Sequence, residues 1–472
     1  MKLRPTLIGC QVVFLTATLC SQGAGWQDEV PAMPSQRLNP MIQKIVSEIS
    51  ADRIADIERK LESFETRNTM SDPNQANRGI GAARRWIFDQ LKGYNPRMQV
   101  SFDTYVIPKG GRVWKEIELR NVAAVLPGKM PQAADRWIMI AGHYDSINLK
   151  VPPELGEDAA KIAELPAPGV TDNASGTACV MECARVLSQY EFDATLVFVA
   201  FAGEEQILVG ARAMAKRLKE KSQAIQAVLN NDIIGSEISG NGIIDNRRVL
   251  VMSEDPIDSP SRQIARYVKQ IGERYLPEMT VDLIYNYDRY GRGGDHIAFN
   301  QEGFAGVRLT SPNENFENQH SPTDTFANTS PGYAAKVTRI NAAVAAAMAL
   351  APRSPITRRS AANQPAATPT KPAGTEAAPA PRRQPTGLGR GAGYDAVLKW
   401  DHPDAEPDLA GFIVVVRSST SPNWEREIWV GNVKEFTLKN TSIDQLLFGV
   451  KAVDREGHES PVSAYVMAPF PR

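Results

Sequence analysis

His143, Asp145, Asp172, Glu204, Glu205, Asp232 and His320 are the residues of this 472-residue chain whose types could do chemistry together. Two neutral imidazoles and several carboxylates make a nitrogen and oxygen donor set that suits zinc, cobalt or manganese. One carboxylate has two oxygens, so a single Asp can hold two cations at the roughly 3.5–4 Å separation of co-catalytic sites. Such a pair lowers the pKa of a water and polarises a carbonyl. A neighbouring carboxylate can then carry a proton. Each residue also has an ordinary reading by itself: His143 ends a strand, Glu204 and Glu205 form a solvated edge, and Asp172 caps the helix beginning near Ala174.

The elements that must position them argue against the ordinary readings. WIMIAGH ends at His143, TLVFVAFAG runs up to Glu204, AVLNND ends at Asp232, and the loop after FAGVRLTS carries His320. Helical stretches such as GTACVMECARVLSQY and VGARAMAKRLKEK alternate with these runs. That alternation predicts an α/β fold, a mostly parallel sheet flanked by helices. In such sheets chemistry collects at the strand ends. Consecutive strand residues point to opposite faces, so Glu204 and Glu205 share a site only if the chain leaves the strand, as Gly203 permits.

GHYDS, TDNASGTA, AFAGEE, NND and QHSPTDT occur in this order over roughly residues 95–350. The series resembles the metal-site motifs of the co-catalytic di-zinc aminopeptidases of metallopeptidase family 28. The resemblance implies a zinc-peptidase fold, peptide or protein substrates and two Zn2+ per chain. It implies that His143 and Asp232 hold one metal, Glu205 and His320 the other, that Asp172 bridges them, and that Glu204 is the general base. Asp145, two residues after His143, would orient its imidazole. Gly294-Asp295-His296 stands where the family has Ser-Asp-His, so Asp295 and His296 are expected to support the site or touch substrate. Tyr290 is the expected donor to the tetrahedral oxyanion. Gln206–Ala211 departs from the family's Gly-Leu-x-Gly-Ser, which bears on pocket shape. A glutaminyl cyclase, a glutamate carboxypeptidase using Arg289, Arg292 and Arg308, and a non-catalytic receptor or adhesion scaffold remain alternatives.

The rest of the chain bounds the setting. A net charge of −1, from 53 Lys+Arg against 54 Asp+Glu, gives no field for nucleic acid or an anionic membrane. Four cysteines exclude a disulfide scaffold, and Cys179 and Cys183 share one helix face as buried small residues. Residues 1–24, with Lys2, Arg4 and an apolar run over 7–19, read as a cleaved signal peptide, which predicts a periplasmic or extracellular protein without membrane insertion afterwards. A catalytic domain is expected over 36–351. Residues 352–393, with eight prolines, should be a disordered tether. Residues 394–472 alternate as short strands, and PDLAGFIVVVRSS with LLFGVKAVDREGHES resembles a fibronectin type III β-sandwich. Trp400 and Phe448 are its core candidates, His402 and His458 are expected at its surface, and the module offers a contact to cell surface or polysaccharide. Residues 25–95 read as part of the catalytic domain rather than a pro-segment, because RRWIFDQL is a core-packing helix.

Overall fold

The computed structural model describes residues 32–35, 37–357, 387–402 and 406–466, so the expected signal segment and the middle of the expected tether lie outside the described residues. Eight strands form the main sheet: β1 (Gln99–Ile107), β2 (Ile117–Leu126), β3 (Arg136–His143), β4 (Thr195–Phe201), β5 (Ala224–Asn231), β6 (Arg248–Ser253), β7 (Thr280–Ile284) and β8 (Gly306–Thr310). Their order is β1-β2-β4-β3-β5-β8-β6-β7. The middle four, β4-β3-β5-β8, are mutually parallel. Their carboxyl ends therefore lie along one edge, and the site residues follow from that.

Helices cover both faces, which is why β3 and β4 are buried almost throughout rather than on alternate residues. The helices are α1 (Pro40–Glu48), α2 (Ala51–Glu62), α3 (Gly79–Tyr94), α4 (Ala159–Ala163), α5 (Ser175–Leu187), α6 (Val209–Glu220), α7 (Pro260–Tyr275), α8 (His296–Gln301) and α9 (Pro331–Leu350). Ile138 and Ile140 of β3 join the core built with α3, α5 and α9, whereas Met139 and Ala141 join the core under α6 and α8. That division is the two-residue period of a strand. The run Ala342–Ala347 of α9 is buried on every side, as a helix lying in the core requires. Cys179 and Cys183 are buried free thiols on α5. The N-terminal helices are integral: Ile42, Ile45, Ile54, Ile57, Leu61 and Ile87 belong to the same core as the sheet.

The C-terminal segment adds two antiparallel sheets. Strands β9 (Leu388–Arg390), β10 (Ala396–Lys399) and β13 (Glu435–Leu438) form one, and β11 (Leu409–Ser418), β12 (Arg426–Gly431), β14 (Leu446–Asp454) and β15 (Ser463–Ala464) the other. Trp400, Phe412 and Phe448 fill the space between them, with the Trp400 and Phe412 rings edge-on at 5.6 Å. The tether is shorter than the composition implied. Thr357 already donates to the Ala464 carbonyl at 3.0 Å, and β9 falls inside the expected linker.

Both C-terminal histidines depart from the expected surface placement. His402 reaches the Arg353 carbonyl at 3.0 Å, and His458 sits between Asp454 at 2.6 Å and the Asn39 amide at 2.8 Å. They are buried because this module docks on the catalytic domain. Arg417 of β11 grips Asp258 with two 2.8 Å bonds, and Trp424 donates to Gln263 at 3.1 Å. Asp258 also receives Arg266 at 3.3 Å. Removing one partner of a fully buried ion pair strands the other charge, which costs about 3–5 kcal/mol. Asp258→Ala should therefore lower unfolding stability by about that amount, read by denaturant titration. A loss under about 1 kcal/mol would mean that the docked module owes little to this pair.

Candidate metal centre

The parallel strand ends deliver the side chains the sequence singled out. His143 is the last residue of β3, Asp232 follows β5, and Glu204 and Glu205 follow β4 after Gly203, whose φ is +74°. A Cβ at Gly203 would lie 2.4 Å from Val209 and 2.8 Å from Leu119, so glycine is what lets the chain leave the strand there and turn both glutamates inward. His320 and Ile233 both hold positive φ, 52° and 60°. Non-glycine residues in this region carry strain that surrounding structure must offset, and both lie in or beside the cluster.

Asp172 stands at the centre. Its Oδ1 is 3.3 Å from His143 Nε2 and its Oδ2 is 3.1 Å from His320 Nε2. His143 Nε2 is also 3.6 Å from Asp232 Oδ1, and His320 Nε2 is 3.3 Å from Glu205 Oε2. Two groups result, His143–Glu204–Asp232 and Asp172–Glu205–His320, each with its ligand atoms within 4.8 Å of one another. The donor chemistry fits divalent metal in both. His143 Nε2 and Glu205 Oε1 are buried and have no hydrogen-bond partner among the described residues, a costly state for polar atoms that ligation would relieve.

The surrounding carboxylates give the site a field that favours positive charge. Burial opposes charge on the His320 imidazole, yet Asp172 and Glu205 bring it up to about 11. Burial likewise fails to neutralise Asp232, which Arg308 and His143 hold at about 2. The Glu204 carboxyl is instead raised by burial, against the pull of His143 and with the push of Asp232 and Glu205. Glu204 lines the open pocket and makes no ion pair with either imidazole among the described residues.

Asp145 does more than orient an imidazole. Its Oδ1 is 3.5 Å from His143 Nδ1, and its carboxylate accepts the backbone N–H of Glu204 at 3.3 Å and of Glu205 at 3.2 Å. Thr69 donates to it at 3.0 Å. Asp295 is buried nearby, and burial together with Asp145 and Asp232 raises its carboxyl, against His143. His296 belongs to neither metal group. Its Nε2 meets the Tyr287 carbonyl at 2.6 Å, so it holds the loop that walls the pocket. Tyr290 is not the oxyanion donor expected, because its side chain is fully exposed at 101% and outside the pocket, whereas Tyr287 lines it.

Asp172 does not cap the following helix, since α5 has Ala174 at its N-cap and no side-chain cap. The loop is pinned by Asp324 and Asn173, which lie inside the sequence motifs but had no role there, and by Arg67, which lies in none. Asp324 accepts the backbone N–H of Thr171 at 2.9 Å and of Asp172 at 3.0 Å, and the Thr171 hydroxyl at 2.6 Å. Asn173 donates to the Asn231 carbonyl at 2.8 Å and accepts from Ile233, which ties the Asp172 loop to the end of β5. Arg67, fully buried, donates to the carbonyls of Tyr144 at 2.7 Å, Pro168 at 2.5 Å and Gly169 at 2.7 Å. It thus clamps the chain after His143 to the chain before Asp172. The 3.6-residue spacing could not reveal it, although an Arg-Asn-Thr-Met turn between two amphipathic helices is an odd place for a solvated arginine.

The arginines named for a substrate carboxylate are spoken for. Arg308 is buried against Asp232 at 3.3 Å and Asp288 at 3.2 Å, while Arg289 and Arg292 share Glu314 at 2.7 and 3.0 Å.

Comparison with known proteins agrees with this geometry. The model of peptidase family M28 matches residues 121–345. A probable zinc metalloprotease of Pyrenophora tritici-repentis is 31% identical over 462 residues, spanning 91% of this chain and 97% of its own. A probable zinc metalloprotease of Pyricularia oryzae is 33% identical over 464 residues, 91% of this chain and 84% of its own. In structure, the LapA aminopeptidase of Legionella pneumophila superposes with a TM-score of 0.51 at 20% identity, covering 69% of this chain and 78% of that one, a likeness of fold. Similarity at that identity over nearly the full length of both chains, with the family match spanning every strand end described above, means that this chain belongs to peptidase family M28 and is a metallopeptidase.

Proposed function

We propose that the protein is an exported, zinc-dependent aminopeptidase that removes N-terminal residues from peptides. The observation that carries the reading is Asp172, whose two oxygens face His143 and His320 separately. His143 and Asp232 would hold one Zn2+, Glu205 and His320 the second, and Asp172 both. When bound, such a pair polarises the scissile carbonyl and makes a water acidic enough to attack near neutral pH.

The chain's own residues do the rest. Glu204, half-buried beside both groups, takes the proton of the attacking water and returns it to the leaving amine. Asp145 fixes the Glu204 and Glu205 backbone through its carboxylate and the His143 ring through its main-chain carbonyl, 3.1 Å from Nδ1, so that base and ligands keep their spacing. Tyr287, on the pocket wall, is the tyrosine available to the oxyanion. The pocket above the two groups has a volume of about 450 Å3, room for one or two residues of a peptide rather than a long extended chain. Export rests on the charged start and short apolar run of residues 2–19. The fibronectin type III reading of the C-terminal module is supported by its seven described strands in two antiparallel sheets.

The test is a panel of aminoacyl p-nitroanilides with the purified protein, with and without chelator, beside metal content per chain. Chelator-sensitive release from free but not N-acetylated substrates, with about two zinc ions bound, is expected. Two metals with no such release would remove the aminopeptidase reading.

A further inference from the structure

The pocket over the two metal groups is cationic once its ligands are accounted for. Among the described residues its carboxylates are Asp172, Glu204, Glu205 and Asp232, all members of the metal-holding groups. Every other charged side chain lining it is an arginine: Arg112, Arg212, Arg289 and Arg292. Glu314, behind the wall, satisfies Arg289 and Arg292. Arg112 and Arg212 are different. They come from separate elements, the β1–β2 loop and the first turn of α6, and neither has a carboxylate partner among the described residues. Arg112 gives one N–H to the Glu205 carbonyl at 3.0 Å, which holds its guanidinium at the edge of the metal group with four further N–H donors in hand.

Two exposed guanidinium groups lining one catalytic pocket without a carboxylate partner favour a side-chain carboxylate over a side-chain ammonium. Ile207, Leu208 and Ile297 line the same space and offer apolar contact to a short methylene stem. We propose that this pocket selects peptides carrying a side-chain carboxylate next to the scissile bond, with Arg112 and Arg212 as the groups that recognise it. The proposal rests on the peptidase reading for its substrate, but not on turnover for its test. The carboxylate can belong to the released residue or to the one after the bond, and the same two arginines would read either.

Both arms are measured together on the zinc-loaded full chain. Glutamyl and leucyl p-nitroanilides place the difference on the released residue, and the dipeptides Leu-Glu and Leu-Leu place it on the leaving side. At least one acidic member should exceed its leucyl counterpart by about tenfold in kcat/KM, mostly through KM, with the advantage shrinking as salt rises. Calorimetric binding of free glutamate, leucine and lysine gives a readout that needs no turnover, with glutamate expected tightest and lysine weakest. Arg112→Gln and Arg212→Gln should each reduce the acidic-to-leucyl ratio, and Arg212→Glu should turn it toward lysyl substrates. The corresponding Lys variants should restore part of the ratio. Equal kcat/KM across both pairs together with equal binding of glutamate and lysine would overturn the proposal. Preferential glutamate binding without chelator-sensitive release from any free amino terminus would instead overturn the aminopeptidase reading and leave the anion pocket standing.

Discussion

Glu204→Gln is expected to lower kcat by about a thousandfold while the metal content per chain stays unchanged. A positioned proton carrier is worth about 10²–10⁴ in rate, and glutamine keeps the shape of the side chain but cannot accept and return a proton. The metal should stay because the shortest contacts to the two imidazoles come from elsewhere. Asp172 reaches them at 3.3 and 3.1 Å, and Asp232 and Glu205 at 3.6 and 3.3 Å. Glu204 has no contact of this kind and opens instead onto the pocket. Steady-state kinetics and elemental analysis of one preparation decide the matter. Loss of one metal along with activity would make Glu204 a ligand beside His143 and Asp232, consistent with the grouping of their atoms within 4.8 Å, and the base would have to be sought elsewhere. Full metal and near-normal kcat would leave no role for a proton carrier at this position.

What was legible in the chain was the part set by local pattern. Short apolar runs ending in His143 and Asp232 are parallel strands because buried parallel strands need apolar residues on both faces, and the residues past their ends are forced onto one edge. The glycine before the paired glutamates was likewise readable as a break in the strand. Positions set by distant contacts were not readable. His458 has the composition of a surface turn, yet Asn39, more than four hundred residues earlier, lies against it because the C-terminal module docks near α1. Tyr290 and Tyr287 are three residues apart in one loop, and only the folded loop, with Tyr290 fully exposed and Tyr287 lining the pocket, separates them. Arg67 sits in no motif, and Asp324, although inside QHSPTDT, has no role that its type and spacing would single out. Their function exists only where three chain segments meet, since each ties backbone groups of the Asp172 loop to another part of the fold. The same holds for Arg308, whose burial against Asp232 and Asp288 takes it out of reach of a substrate.

Asp172→Asn should cost more than any other single ligand change, because it acts on both metal groups at once. A carboxylate offers an oxygen to each side and a full negative charge between two imidazoles, whereas an amide offers one oxygen, one NH2 that cannot ligate, and no charge. Burial works against charge on Asp172, yet His143 and His320 hold its carboxyl well below the ordinary range, so the anion is what the site is built around. The loop itself should persist. Asp324 holds the backbone N–H groups of Thr171 and Asp172, and Asn173 holds the Asn231 carbonyl, and none of these bonds uses the Asp172 side chain. The expected result is a folded protein, read by circular dichroism, whose melting point in the presence of chelator falls because His143 and His320 lose the buried anion they share. It should hold at most one metal per chain and have lost about 10³ or more of kcat/KM, since co-catalytic chemistry needs both ions together. A variant that keeps two metals and falls less than tenfold would show that His143–Asp232 and Glu205–His320 each hold their ion without a shared ligand. The same measurement on His320→Ala separates the cases, because removing a ligand of one group alone should leave the His143 metal in place.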